Sequence, residues 1–158
     1  MRNEISREFK GKIKTIMPIV GLLRIGKGTN GIVNRWIKNA FYSLYNVGAY
    51  SKNLPKNAKI KIIMQRLDTK KKISKIFAGN CFCVYHLIFP FIFIGKNTYE
   101  SNLLKEHFKN DITNFGNMGI FKLYNIKFKR IKGDPYDYYI PNNLPKSVHI
   151  KITIERLD

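Results

Sequence analysis

The feature that most constrains the fold is a sixteen-residue segment that occurs twice. NLPKNAKIKIIMQRLD runs from Asn53 to Asp68 and NLPKSVHIKITIERLD from Asn143 to Asp158, with ten identical residues and no gap. After Leu-Pro, apolar residues alternate with polar ones in both copies, which predicts half-buried β-strands. The residues expected to face the core are Ala58, Ile60, Ile62, Met64, Val148, Ile150, Ile152 and Ile154. The repeat therefore predicts equivalent strands in a fold of two similar halves.

Two further segments have the spacing of amphipathic helices. Apolar residues recur every three or four positions from Val33 to Val47, and Gly48 is the expected stop. The same spacing from Tyr99 to Phe115 predicts a second helix, ended by Gly116. Each helix would place one apolar face against a sheet.

The remaining segments are predicted as strands and connectors. Residues 1–12 resemble a basic arm, and residues 68–75 a cationic turn. The predicted strands are Ile13–Ile25 (interrupted by Pro18 and Gly21), the apolar run Cys81–Gly95, and Ile120–Gly133. The predicted class is α+β, with antiparallel strands and helices packed on one side.

We expect three regions along the chain. Residues 1–50 would form a basic N-terminal extension with one amphipathic helix, residues 51–115 a first α+β half, and residues 116–158 a second, truncated half. The length suits one domain or two small ones of similar build.

The charge balance indicates a polyanionic partner. Twenty-nine Lys and Arg against ten Asp and Glu give a formal net charge of +19. Self-repulsion of this size is tolerated when a polyanion neutralises it, so nucleic acid is the first candidate and an anionic membrane surface the second. Because the acids are too few to balance the basic clusters, we predict RNA binding at Lys12, Lys14, Arg24, Lys27, Arg35, Lys38, Lys70, Lys71, Lys72, Lys75, Lys127, Lys129, Arg130 and Lys132.

Tyrosines are interleaved with these clusters. Tyr42, Tyr45, Tyr124 and Tyr136 lie close to them in the sequence. Aromatic rings can stack on unpaired bases while cations neutralise the phosphates. We therefore expect these rings to contribute to RNA binding.

The composition also indicates a compartment. Lys, Asn, Ile, Phe and Tyr, which have A/T-rich codons, are abundant, which indicates an organellar genome or an A/T-rich nuclear one; we expect an organelle-encoded mitochondrial protein. The N-terminus carries Glu4 and Glu8 and resembles neither a secretory signal nor a transit peptide. Cys81 and Cys83 are too close together to staple a fold.

No catalytic constellation stands out, and we predict a non-enzymatic protein without a cofactor or a small-molecule substrate. GKGTNG at residues 26–31 matches G-x-G-x-x-G, but no acidic residue follows at the spacing of a dinucleotide site, so a glycine-rich turn is favoured. Cys81, Cys83 and His86 offer three metal-ligand types within an apolar run, where buried thiols and a core histidine are favoured.

The apolar run leaves one alternative open. From Phe77 to Gly95 it is nineteen residues long, the length of a membrane span. It also contains Asn80, His86 and Pro90 and has basic residues on both sides. A small subunit of an organellar inner-membrane complex, with residues 77–95 embedded in lipid, is the alternative to a buried sheet element.

Two parts of the chain resemble a ribosomal protein family. The segments Leu54–Ile60 and Leu144–Ile150 resemble the proline-containing strand, I/V-P-x-x-V-x-V, that recurs in the two α+β halves of the large-subunit L-six family. Phe121–Arg130 resembles the strand that follows a helix before that family's second such motif. The family's paired glycines are Asn125 and Lys127 here, and its basic C-terminal tail has no counterpart. The L-five family is a rival, through Gly116–Ile120.

The L-six resemblance implies a structural constituent of the mitochondrial large ribosomal subunit. Its partners would be ribosomal RNA and neighbouring ribosomal proteins. Without the family's tail, the RNA contact would fall on the N-terminal basic region and the strand-face lysines.

Overall fold

The computed structural model describes residues 3–17, 22–48, 54–86, 89–95, 110–133 and 138–158. These ranges form an α+β fold with antiparallel sheets, as the sequence predicts. The strands are β1 (Glu4–Gly11), β2 (Ile13–Met17), β3 (Leu22–Ile25), β4 (Ala58–Arg66), β5 (Lys72–Gly79), β6 (Cys81–His86), β7 (Phe89–Ile94), β8 (Phe128–Ile131), β9 (Tyr138–Pro141) and β10 (Val148–Arg156). The helices are α1 (Val33–Leu44), preceded by a 3-10 turn at Thr29–Gly31, and α2 (Ile112–Leu123).

Four strands form the main sheet in the order β1-β10-β4-β5, every pair antiparallel. The two copies of the repeat, β4 and β10, are neighbours at its centre, with Ile62 opposite Ile154. Three hairpins, β2–β3, β6–β7 and β8–β9, form separate two-stranded sheets. The repeated segment is therefore the central strand pair of the sheet.

The core lies between one face of this sheet and the two helices. All eight apolar residues predicted to face it from β4 and β10 are at most 3 % exposed, which confirms the alternation. Ile37 and Phe41 of α1 and Ile112 and Ile120 of α2 are fully buried. Full burial of one such side chain stabilises the fold by about 1.5–3 kcal/mol. The opposite face of the sheet carries no helix among the described residues.

Helix α1 is where the sequence places it, but it ends for a different reason. Asn46, with φ of 57°, adopts the left-handed conformation, and the Val47 N–H donates to the Tyr42 carbonyl at 2.9 Å. This backbone pattern closes the last turn before Gly48 is reached. Asn125, with φ of 51°, ends α2 in the same way, and there the Ile126 N–H donates to the Phe121 carbonyl.

Helix α2 differs from the prediction. Of the predicted helix 99–115, residues 99–109 lie outside the described part of the chain. The helix continues to Leu123, so the predicted strand 120–133 was wrong at its start and begins at Phe128. Gly116 does not end the helix but lies inside α2. Glycine is needed there for packing, since a Cβ at this position would overlap Ile37 and Val33 of α1. The segment likened to an L-six strand therefore begins inside a helix.

The predictions of a basic N-terminal arm and of a cationic turn at residues 68–75 also need correction. Residues 4–11 are not a free arm, because β1 pairs with β10 along its length and buries Phe9. The cationic turn is shorter than predicted, since β5 begins at Lys72. The segment Ile13–Ile25 forms β2 and β3, and residues 18–21, which include Pro18 and Gly21, lie outside the described residues.

Several contacts occur twice in the fold. The Tyr45 hydroxyl accepts the Lys59 N–H at 3.0 Å, and the Tyr124 hydroxyl accepts the His149 N–H at 2.7 Å. The Leu157 N–H donates to the Lys59 carbonyl at 2.8 Å, and the Leu67 N–H to the His149 carbonyl at 2.9 Å. Tyr45, Lys59 and Leu157 therefore correspond to Tyr124, His149 and Leu67. Surfaces near these residues can be compared position by position.

Candidate nucleic-acid interface

The positive charge is concentrated in one long part of the chain. Between Glu8 and Asp68 the sequence contains no Asp or Glu, while it contains twelve Lys and Arg. This stretch supplies hairpin β2–β3, helix α1 and strand β4. Arg66 pairs with Asp68 and Lys61 lies opposite Glu155. The cations of hairpin β2–β3 and helix α1 have no acid within their own segments, and that is the condition under which a basic surface attracts phosphate.

Hairpin β2–β3 carries four of the predicted cations. Lys14 and Arg24 are direct cross-strand partners, and Lys12 and Lys27 lie where the hairpin strands begin and end. The Gly26 N–H donates to the Lys12 carbonyl at 2.8 Å, which holds the two ends together. Lys12, Lys14 and Lys27 are exposed, whereas Arg24 is partly buried.

Arg24 joins the hairpin to the helix. Its Cγ lies beside Gly31, the last residue of the 3-10 turn before α1, and its backbone forms an isolated bridge with Ile32. Its Nε is buried and has no hydrogen-bond partner within the described structure. A buried guanidinium N–H without an acceptor is costly.

Helix α1 adds Arg35 and Lys38 on one flank. Burial lowers the pKa of Lys38, and the neighbouring charge of Arg35 lowers it further. Lys38 Nζ also lies 5.9 Å from the centroid of the Tyr42 ring. Repulsion between these two cations would be relieved by a phosphate near both. Lys38 also lies within electrostatic range of Cys83 on β6. We name the six cations of these two consecutive elements the hairpin–helix patch: Lys12, Lys14, Arg24, Lys27, Arg35 and Lys38.

The glycines between hairpin and helix serve the turn. Gly26 and Gly28 have φ of 82° and 78°, values that favour glycine, and a Cβ at Gly31 would overlap the Ile25 carbonyl. The preceding strand β3 pairs antiparallel with β2, unlike the parallel βαβ unit of dinucleotide sites. The glycine-rich turn favoured by the sequence is what the structure contains.

The predicted cluster from Lys70 to Lys75 is divided between two faces. Lys70, Lys71 and Lys72 are exposed at the β4–β5 turn. Lys75 lies on the helix-facing side, with its Nζ 4.9 Å from the Phe77 ring centroid. Only the first three form a cluster at this turn.

The last predicted cluster lies on hairpin β8–β9. Lys127, Lys129, Arg130 and Lys132 are exposed on this short arm. Asn143 fixes its base, where its Oδ1 accepts the Lys127 N–H at 2.7 Å and its side-chain amide donates to the Asn125 carbonyl. Phe128 packs edge-on against Phe121, with the ring centroids 4.5 Å apart. The arm thus presents its cations from an anchored base.

The structure describes three of the four tyrosines that were expected to stack on bases. Tyr42 is 4 % exposed, while Arg156 covers the ring of Tyr45 and Arg66 covers the ring of Tyr124. Tyr42 is therefore too buried to stack on a base, and an arginine occupies one face of the Tyr45 and Tyr124 rings. Tyr136 lies outside the described residues. The predicted sites that remain are cationic and suit phosphates rather than bases.

The Lys14–Arg24 pair has an uncharged counterpart on the matched hairpin. On hairpin β6–β7 the cross-strand partners Phe82 and Phe93 stack with centroids 4.9 Å apart, where β2–β3 has Lys14 and Arg24. The equivalence rests on backbone bridges, because Arg24 bridges to Ile32 just before α1 and Phe93 bridges to Asp111 just before α2. Charge therefore marks one of two matched surfaces.

The cysteines pack against the core. Cys81 and Cys83 are partly buried beside the hydrophobic cluster, and burial raises the pKa of the Cys81 thiol to about 12. A thiol with a raised pKa is a poor nucleophile and a poor metal ligand at neutral pH. In the described ranges, no group of three His, Cys, Asp or Glu side chains is placed to hold a metal ion.

The apolar run of the alternative hypothesis forms strands. Of residues 77–95, the described ones lie in or next to β5, β6 and β7, and Ile92 and Ile94 are buried in the core. None of the helices in the described ranges is long and apolar enough to cross a membrane.

No protein-family model, curated protein or solved structure matches this chain.

Proposed function

We propose that the protein binds RNA as a structural, non-enzymatic component, and that the RNA is that of the mitochondrial large ribosomal subunit. The observation that carries the RNA-binding part is the one-sided hairpin–helix patch, which belongs to a stretch of chain without acids. Its matched surface on β6–β7 has an aromatic pair instead. A pair of cations that served only solubility would not need to be confined to one of two equivalent cross-strand positions.

The mode of binding follows from the side chains that are exposed. Lysines and arginines neutralise phosphates and release counterions, so affinity falls steeply with salt. Because Tyr45 and Tyr124 are covered by arginines, stacking on bases contributes little. The proposal is therefore recognition of folded RNA through its backbone, as expected of a structural rRNA binder.

The ribosomal part of the proposal rests on the L-six resemblance and the organelle-like composition. It requires that the chain co-sediment with large ribosomal subunits through a sucrose gradient. If it sediments with membranes and resists carbonate extraction, the membrane-complex alternative replaces it.

Patch neutralisation tests the RNA contact directly. In a Lys14→Gln/Arg24→Gln variant, the salt dependence of binding to structured RNA should weaken by about 1.5 units in log K against log salt, at about 0.7–0.9 per lost phosphate contact. The matched control is Lys59→Gln/Lys151→Gln, which removes the same charge from the uncovered face of the sheet. If both variants lose equal affinity, the patch has no special role and binding depends on net charge alone.

The β8–β9 arm is the second contact in this proposal. A Lys129→Gln/Arg130→Gln variant should also reduce affinity, and the effects of the two double variants should add, because the clusters lie on separate elements. If the arm variant loses RNA affinity and the patch variant does not, the RNA site lies on the arm and not on the patch.

A further inference from the structure

The main sheet has a second face, opposite the helices. Its sixteen outward positions are Glu4, Ser6, Glu8 and Lys10 on β1, His149, Lys151, Thr153 and Glu155 on β10, Lys59, Lys61, Ile63 and Gln65 on β4, and Lys72, Ser74, Ile76 and Ala78 on β5. We name them the outer face. Five lysines against three glutamates give it a formal net charge of +2, in a chain of +19. It is thus unlike the cationic surfaces proposed to bind RNA.

The outer face also contains exposed apolar surface. Ile76 is 54 % exposed, the highest value among the large apolar residues described as exposed. The row across the middle of the sheet, Ser6, Thr153, Ile63 and Ser74, is uncharged and made of small or medium-sized side chains. A flat, neutral central row suits the close approach of another sheet, which packs about 10 Å away.

The charges on either side of this row follow the strand register. One row across the sheet reads Glu4, Glu155, Lys61, Ile76, in the order β1-β10-β4-β5. The other reads Glu8, Lys151, Gln65, Lys72. Acids therefore occupy the β1–β10 side, whereas the β4–β5 side has only lysines as charged residues. In the first row, two like charges, Glu4 and Glu155, stand directly opposite each other, which is unfavourable within one copy.

We propose that the outer face binds a second copy of this chain, about a two-fold axis parallel to the strands. Such an axis places β1 over β5 of the second copy and β10 over β4, with each row facing itself in reverse order. Glu8 then faces Lys72 of the second copy, and Glu155 faces Lys61. The middle row faces the middle row of the second copy in reverse order, so that Thr153 faces Ile63 of the second copy.

The orientation follows from the charges. A two-fold axis across the strands would instead place each strand over the same strand of the second copy. Glu4 would then meet Glu8 of the second copy, and the two glutamates would repel. The axis along the strands brings opposite charges together at four places, since an isologous interface repeats each contact. The face spans roughly 19 by 26 Å from the usual strand spacing and rise, a small area, so the dimer should be weak. The proposal does not depend on RNA binding.

Glu8 and Lys72 allow a test that only contacts between copies can pass. Within one copy they lie on opposite edges of the sheet, three strand spacings or about 14 Å apart, and cannot pair. Both are exposed, and Glu8 also lies 3.1 Å from His149 Nε2 in its own copy, so circular dichroism must verify that each charge reversal keeps the fold. The experiment is analytical ultracentrifugation of the full chain, nuclease-treated and freed of RNA, at up to about 100 µM and moderate salt.

The expected result has three parts. The unmodified chain forms a dimer as its concentration rises. Glu8→Lys alone and Lys72→Glu alone remain monomeric, because each places like charges together at both contacts. An equimolar mixture of the two variants recovers the dimer, because in the mixed pair both contacts between these positions again join opposite charges. Lys122→Glu, an exposed charge reversal on α2, is the control and should dimerise like the unmodified chain.

Each other result overturns the proposal. If the unmodified chain stays monomeric over this range, the outer face does not bind a second copy. If it dimerises and both single variants dimerise equally well, another surface is used. If the mixture of variants stays monomeric, the strand-parallel axis is wrong.

Discussion

Arg66 lies over the ring of Tyr124, with its guanidinium carbon 4.0 Å from the ring centroid. The same arginine donates twice to Asp68, through Nε at 2.6 Å and Nη2 at 2.9 Å, and through Nη1 to the Leu123 carbonyl at the end of α2. One side chain thus ties the end of the central strand β4 to the end of a helix. Arg156 makes the matching contacts with Tyr45 and with the Leu44 carbonyl.

The tyrosine hydroxyls in these clusters should contribute measurably to stability. The Tyr124 hydroxyl accepts the part-buried His149 N–H, so Tyr124→Phe leaves that donor without its acceptor. We expect a loss of about 1–2 kcal/mol in the free energy of unfolding. Tyr45→Phe should lose a similar amount, because its hydroxyl accepts from Lys59 and donates to Asp158 at 2.6 Å. Urea unfolding followed by circular dichroism measures both, and a loss below about 0.3 kcal/mol at either site would contradict the role assigned to the hydroxyl.

The buried N-cap of α2 should make stability depend on pH. The Asp111 side chain is 1 % exposed and accepts from the N–H groups of Thr113 and Asn114. Burial raises its pKa to about 6, although these hydrogen bonds oppose the shift. The folded state therefore binds the proton more tightly than the unfolded state. The contribution of Asp111 is most favourable below the unfolded pKa, near 4, and is lost as the pH rises through 6.

Asp111→Asn tests this dependence. Asn is an equally good N-cap, so the variant should match the unmodified chain at pH 4. At pH 7.5 it should be more stable by about 1–3 kcal/mol, because it carries no buried charge. The measurement is the difference in unfolding free energy between the two proteins from pH 4 to pH 7.5, which cancels the acid response of all other groups. A flat difference across this range would show that Asp111 does not titrate there.

Gly116 and Ile37 should be energetically coupled. A methyl group on Gly116 would overlap the Ile37 side chain and approach Val33, so Gly116→Ala should cost about 1–3 kcal/mol by overpacking, despite the better helix propensity of alanine. Ile37→Ala leaves a cavity and should cost about 2–5 kcal/mol. The double variant should lose less than the sum of the two, because the new methyl group occupies space that Ile37 vacates. Strict additivity would contradict the contact, and Gly48→Ala, with open space around it, should be close to neutral.

Sequence patterns predicted the elements whose signals are local. The alternation in β4 and β10 gave the correct buried residues, and the helical spacing in α1 gave most of them, although it missed the burial of Tyr42. The extent of α2 was missed because its buried face includes Gly116, Asn117 and Gly119, residues that pack only in a tertiary context. Strand β1 was missed because it lies at an edge of the sheet and alternates charged residues with few apolar ones.

The sequence identified the charged residues of the candidate site, but it did not show which of them lie next to each other on the surface. Charge counting found Lys14, Arg24 and Arg35, yet only the β2–β3 register shows that Lys14 and Arg24 are neighbours. The covering of Tyr45 by Arg156 joins residues more than a hundred positions apart, and no local pattern predicts it. The repeat did contain one signal. Both copies end in arginine, leucine and aspartate, and these equivalent positions indicated that Arg66 and Arg156 would make matching contacts.

The first and last strands meet as if joined by a turn. The Arg156 N–H donates to the Asn3 carbonyl at 2.7 Å, just as the Arg66 N–H donates to the Lys71 carbonyl at 2.8 Å across the β4–β5 turn. Two residues, Thr69 and Lys70, separate Asp68 from Lys71, and two residues, Met1 and Arg2, would separate Asp158 from Asn3 in a chain whose ends were fused directly. Lys70 has φ of 61°, so glycine in place of Arg2 would suit the corresponding position.

A circular permutant should therefore fold. We expect a chain that is fused from Asp158 to Met1, carries Arg2→Gly and opens between Thr69 and Lys70 to keep its unfolding free energy within about 1 kcal/mol, because the permutation exchanges one closed turn for another of equal length. Urea unfolding and circular dichroism would measure this. A permutant with the same fusion but opened between Ile62 and Ile63 breaks a central strand and should not fold. If the turn-opened chain fails in the same way, the Asn3–Arg156 junction is not equivalent to the β4–β5 turn.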